Sequence, residues 1–110
     1  MLEVWSNYWD FRPGGDTSLV VLKARILTQY AQKHGKLSAI TETGTQTRDS
    51  LWYTQLLSIV RSEGVALNYV CTWSGFSPYK GHPAAADFCR FKRDTLVLFA
   101  DEIPNFYTWH

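Results

Sequence analysis

The run Gly35-Lys36-Leu37-Ser38-Ala39-Ile40-Thr41-Glu42-Thr43-Gly44 constrains this chain more than any other stretch. It contains a helix stop, a short buried strand, a carboxylate and a turn, in that order. Lys33 and His34 suit the last turn of a helix, where cations meet the free carbonyls. Gly35 then suits the residue just past the end, which takes left-handed backbone without a Cβ penalty. After one or two connecting residues, 37–41 reads as a strand. Glu42 stands at that strand's C-terminal tip.

The segments on either side repeat the pattern. Asp16, Thr17 and Ser18 are all able to cap a helix start. From there Leu19, Leu22, Ile26, Leu27, Tyr30 and Ala31 recur at helical spacing and predict one apolar face. A second helix is predicted over 50–63, with Trp52, Leu56, Ile59 and Val60 as its buried stripe and Gly64 as its stop. Residues 67–73 form an almost continuous apolar run, as in a strand buried on both faces. Residues 2–5 read as the tail of a further strand, 84–93 as a helix, and part of 94–102 as helical. Strands alternating with helices predict an α/β fold with parallel strands. In that arrangement successive strand tips share one edge of the sheet, and the loops there build the site.

Composition narrows the function classes. The net charge is +1 and there is no basic run. Lys80 and the Arg90, Lys92, Arg93 cluster fall short of a nucleic-acid footprint. No segment approaches the roughly 18 apolar residues of a membrane span, and no signal peptide is apparent. The two cysteines, Cys71 and Cys89, are not in a metal-binding spacing. Cys71 lies in an apolar run and is expected to be a buried thiol. The 17 aromatic residues (five Trp, six Tyr, six Phe) serve packing first, and at a site they serve sugar or base stacking.

Taken together, Asn7-Tyr8-Trp9-Asp10, the run from Gly35 to Gly44, Tyr69-Val70-Cys71-Thr72-Trp73, Pro78-Tyr79-Lys80-Gly81-His82-Pro83, Asp87-Phe88 and Leu98-Phe99 resemble glycoside hydrolase family 26. The best-known members of that family are secreted β-mannanases. The resemblance spans nearly all of this chain but only the last third or so of such a catalytic domain. It implies that residues 1–110 are the C-terminal portion of a (β/α)₈ TIM barrel, an incomplete barrel. Residues 2–5 fall at the end of strand six, 37–42 on strand seven and 67–73 on strand eight.

The resemblance also assigns roles. Glu42 falls on the catalytic nucleophile of a retaining enzyme. Tyr8 falls on a tyrosine that orients the nucleophile, and Trp73 on the tryptophan that floors the sugar pocket. The general acid/base belongs to an earlier strand, and nothing in this chain resembles its motif. The implied partner is a mannan-like polysaccharide or oligosaccharide, with no cofactor, no metal, no nucleic acid and no membrane span. The parent family acts in secreted or cell-surface form. A retaining glycosidase needs two carboxyl groups about 5 Å apart, so the chain alone is expected to be inactive. With its barrel neighbours missing, it is also expected to associate with itself through uncovered strands.

The residues themselves leave two alternatives open: a noncatalytic carbohydrate-binding or assembly module derived from such a barrel, and a small α/β domain unrelated to sugars. Thr41 and Thr43 flank Glu42 and are placed to orient it. Trp9, Phe76 and Tyr79 are expected to pack beneath loops, His82 to be exposed, and Asp49 and Asp87 to mark helix starts. Asp10 reads as a loop residue near the mouth.

Overall fold

The computed structural model describes residues 2–5 (backbone), 16–44, 50–72 and 78–104. The elements run β1 (Leu2–Trp5), α1 (Ser18–His34), β2 (Ser38–Thr43), α2 (Trp52–Val60), β3 (Tyr69–Thr72) and α3 (Ala85–Arg93). Within 94–102, where helix was expected, there is only a 3-10 turn, Ala100–Glu102.

The ends of α1 follow the sequence signals. The Ser18 N–H donates to Asp16 Oδ1 at 2.9 Å, and hydrogen bonds from the Ser18 side chain and backbone hold the Asp16 carboxyl below its ordinary range. At the other end Gly35 takes φ 62°, and the Lys36 N–H reaches back to the Ala31 carbonyl at 2.8 Å.

The three strands form one parallel sheet in the order β1-β2-β3. α1 lies over β1 and β2, and α2 sits between α1 and α3. α2 and α3 run side by side in the same direction and are tied at both ends. Near their starts, the Asp87 carboxylate accepts the Thr54 N–H at 2.9 Å and also the Thr54 hydroxyl. Near their ends, Arg61 pairs with Asp94. Between these ties lies the core: Val20, Trp52, Tyr53, Leu56, Ile59 and Ala84, with Val70, Phe88 and Phe91 packed against it. The Tyr53 ring meets Trp52 and Phe88 edge-on, each with centroids 5.0 Å apart. Each such burial contributes about 1.5–3 kcal/mol.

The end of the sheet remote from Glu42 is closed by polar side chains. Ser38 and Asn68 exchange two bonds, Ser38 N–H to Asn68 Oδ1 at 3.0 Å and Asn68 N–H to the Ser38 carbonyl at 2.8 Å. The Ser38 hydroxyl donates to the Ala66 carbonyl at 2.8 Å, and the Ala66 N–H donates to Thr28 Oγ1 at 3.0 Å. Arg25 Nε donates to the Glu63 carbonyl at 2.6 Å. These bonds fix α1 and the start of β3 onto the start of β2.

Three expectations are corrected. First, α1 buries Leu27 and Ala31 as expected, together with Val20, Ala24 and Thr28, whereas the other four expected core residues, Leu19, Leu22, Ile26 and Tyr30, are 49%, 51%, 57% and 52% exposed. The helix carries two apolar stripes, and the one rich in small side chains faces the protein. Second, β3 is not buried on both faces: Tyr69, Cys71 and Thr72 are exposed and Val70 is half-buried. β3 is an edge strand among the described residues, so no strand covers its outer side. Third, Cys71 is exposed for the same reason; Cys89, on α3, is exposed as well.

Candidate active site

Glu42 is the penultimate residue of β2, the middle strand of the three. The tips of β1 and β3 lie on either side: Trp5 of β1 is the partner of Glu42, and Thr72 of β3 is the partner of Thr43. This follows from parallel pairing, which brings all three carboxyl ends to one rim. The N-termini of α2 and α3 lie at that rim too, since each helix returns antiparallel to the strand before it.

The register contains an irregularity at the candidate nucleophile. On β1 the partners step from Val4 to Trp5 while β2 steps from Ile40 to Glu42. On β3 they step from Val70 to Thr72 while β2 steps from Ile40 to Thr43. Both neighbours therefore see one extra residue on β2, a bulge at Thr41–Glu42. Strict strand alternation, which would place Ser38, Ile40 and Glu42 on one face, is interrupted there. Burial agrees: Ser38, Ala39 and Ile40 are buried, Thr41 and Glu42 are both half-buried, and Thr43 is buried again. A bulge at a strand tip bends the strand and re-aims the side chain it carries.

Thr43 is fully buried, and its Oγ1 makes no hydrogen bond. It does not serve Glu42 as the sequence suggested. A buried, unsatisfied hydroxyl costs about 1–3 kcal/mol.

The other candidates fall as follows. Tyr8 and Trp73 lie outside the described residues, as do Trp9, Asp10, Asp49 and Phe76. In sequence, Tyr8 comes three residues after the end of β1 and Trp73 directly after the end of β3. Tyr79, expected to be packed beneath its loop, is instead 62% exposed and meets the His82 ring in a T-shaped contact. His82 is half-buried and uses Nδ1 to accept the Ala84 N–H at 3.0 Å, a local bond that shapes the approach to α3. Asp87 does start a helix, but its carboxylate serves α2 by receiving the N–H of that helix's first turn. Arg90 lies 3.3 Å from the same carboxylate. Burial, followed by the Asp87 charge, pushes the Tyr53 hydroxyl up to about 12. Nothing in the sequence around Asp87 signals this tertiary role beyond its position in a first turn.

No protein-family model matches the sequence, and no curated protein matches it. A solved structure does match: a modular endo-β-1,4-mannanase from Cellulomonas fimi, described as a glycoside hydrolase family 26 mannanase. The similarity has a TM-score of 0.77 at 27% identity and covers 93% of this chain. It covers 26% of the mannanase chain, so this chain spans about a quarter of the protein it resembles. The chain is thus an α/β unit with a small parallel sheet, similar to part of a glycoside hydrolase. None of its described helices is long and apolar enough to cross a membrane.

Proposed function

We propose that residues 1–110 are the C-terminal part of the catalytic domain of a retaining glycoside hydrolase that cleaves β-mannan-type polysaccharide outside the cell. One observation carries this reading: a glutamate stands at the carboxyl tip of the middle strand of a parallel sheet whose fold matches part of a mannanase. In this reading Glu42 is the nucleophile, Tyr8 orients it and Trp73 floors the sugar pocket.

The chemistry follows from the placement. A Glu42 carboxylate oxygen attacks the anomeric carbon and forms a glycosyl–enzyme bond. The glycosidic C–O bond breaks as a second carboxylic acid protonates the leaving oxygen. That group, now a base, takes a proton from water, and the water oxygen displaces Glu42, so the sugar keeps its configuration. The second carboxyl group belongs to a part of the barrel that this chain does not resemble. A strand holds a nucleophile more rigidly than a loop does, and the bulge sets its aim.

The test inserts this chain in place of the matched quarter of the Cellulomonas fimi mannanase. The chimera should hydrolyse mannan with retention, and Glu42→Ala should lower kcat by about a thousandfold or more. Azide should restore part of that loss by filling the place of the carboxylate, releasing a glycosyl azide of inverted configuration. Undiminished turnover by Glu42→Ala would remove Glu42 from the reaction. A chimera that binds mannooligosaccharide without cleaving it, and does so equally well with Glu42→Ala, would favour the noncatalytic module.

A further inference from the structure

α2 and α3 both begin at the Glu42 rim, and neither has a side-chain cap of its own. The residues before their first turns are Leu51 and Ala84, which carry no side-chain acceptor. The first turn of α2 also contains no acidic residue. Asp87, in the first turn of α3, supplies what α2 lacks. Its carboxylate is buried and accepts the N–H of Thr54, the third residue of α2, at 2.9 Å together with the Thr54 hydroxyl. A capping side chain ordinarily accepts from that same N–H within its own helix. Here the acceptor comes from the neighbouring helix, and one negative charge lies at two helix starts. Apolar contact among Trp52, Tyr53 and Phe88 draws the two helices together, but such attraction has no direction. The paired bonds to Thr54 do have direction, and they fix how far one helix start stands along the other.

The rim segment that precedes α3 is bonded onto the same helix start. The Ala85 N–H donates to the His82 carbonyl at 2.9 Å, the Ala84 N–H to His82 Nδ1 at 3.0 Å, and the His82 N–H to the Tyr79 carbonyl at 2.9 Å. The exposed Tyr79 is therefore carried by α3. We propose that Asp87 is a positioning residue for saccharide binding. By clasping the two helix starts, it sets the rim segment 79–84 against the segment that joins the strand of Glu42 to α2. The clasp acts on the groove between these segments and touches no substrate. Glu42 itself is held by the sheet, paired with Trp5 on one side and next to the Thr43–Thr72 pair on the other. Loss of the clasp therefore weakens binding and leaves the chemical step nearly intact. The proposal rests on the reading of this rim as a saccharide site and makes no use of Glu42 as nucleophile.

The test uses the chimera with the Cellulomonas fimi mannanase, at a temperature where circular dichroism shows each variant folded. Asp87→Ala should raise KM for mannooligosaccharide about fivefold or more and change kcat by less than about twofold, the pattern of binding lost equally from ground and transition states. Asp87→Asn keeps an oxygen for the Thr54 N–H and should bring KM back to within about twofold of the parent. Thr54→Val, at an exposed position, should raise KM about two- to threefold, and it carries the test if Asp87→Ala does not fold. Ile59→Ala opens a cavity in the last turn of α2, away from the rim, and lowers stability without touching the clasp. Its KM should match that of the parent. An unchanged KM in Asp87→Ala and Thr54→Val would overturn the proposal. So would failure of Asp87→Asn to restore KM, or an equal rise in Ile59→Ala, which would mark a general effect of destabilisation. In a chimera that binds without cleaving, the dissociation constant should show the same changes. A chimera that neither binds nor cleaves would overturn both this proposal and the proposed function. Undiminished turnover by Glu42→Ala, beside a raised KM in Asp87→Ala, would remove the nucleophile and leave the clasp standing.

Discussion

α1 and α2 lie over the same parallel sheet, yet they are enclosed to different degrees. α2 has helices on both sides, ties to α3 near both ends, and four buried side chains in nine residues. α1 has α2 on one side and, among the described residues, a half-exposed row of large apolar side chains on the other. The difference does not come from apolar content, which is high in both. It comes from neighbours: a helix in a βα array packs against a unit on each flank, and the described residues supply α1 with one.

The comparison breaks if truncation costs the two helices alike. Trp52→Ala should destabilise the fold by about 3–5 kcal/mol, as for other buried aromatics, whereas Leu22→Ala should stay within about 0.5 kcal/mol. Paired urea titrations measure both, and a Leu22→Ala cost near that of Trp52 would mean the flank is already covered. Next in size is Asp87→Ala, which strands the Thr54 N–H and hydroxyl. A loss of about 3 kcal/mol is expected, together with faster amide exchange in the first turn of α2 but not of α1. Smaller, and opposite in sign, is Thr43→Val. It removes a buried hydroxyl that bonds to nothing, keeps the branched shape, and should raise stability by about 1 kcal/mol in the same titrations.

The smallest effect concerns the far tie of α2. The Arg61 side chain, then the Leu96 N–H, hold the Asp94 carboxyl below the ordinary carboxylate range. A carboxyl lowered in the fold contributes its stabilisation fully above the unfolded-state value and loses it as pH falls through the folded value. The gap in melting temperature between the parent and Asp94→Asn should therefore be small at neutral pH and close under acid conditions. A gap that widens on acidification would contradict the ion pair.

Much of the fold could be read from local chemistry. Asp16 and Gly35 mark the ends of α1 because capping and left-handed backbone are properties of single residues, whereas α2 ends at Val60, short of the expected stop at Gly64. The position of Glu42 at a strand tip was also legible, because it depends only on where the apolar run stops. Three things were not. Which stripe of α1 faces inward depends on the spacing to the sheet, and periodicity alone groups Leu22 and Ile26 with Leu27 and Ala31, of which only the last two are buried. The bulge at Thr41–Glu42 is a matter of pairing between strands, so one strand's sequence carries no sign of it. The exposure of Cys71 reflects the position of β3 at the edge, whereas its apolar composition suits a strand with neighbours on both sides. Tyr8 and Trp73 lie outside the described residues, and their roles belong to the chimera experiment.

The Ser38–Asn68–Ala66–Thr28 network divides labour along the strand axis. Cross-links that hold the layers in register are gathered at one pole, and the carboxylate stands at the other. Loops leaving the carboxylate's pole can therefore lengthen, shorten or change sequence without loosening those cross-links. A lineage built on this scaffold can vary what those loops recognise while keeping the same foundation.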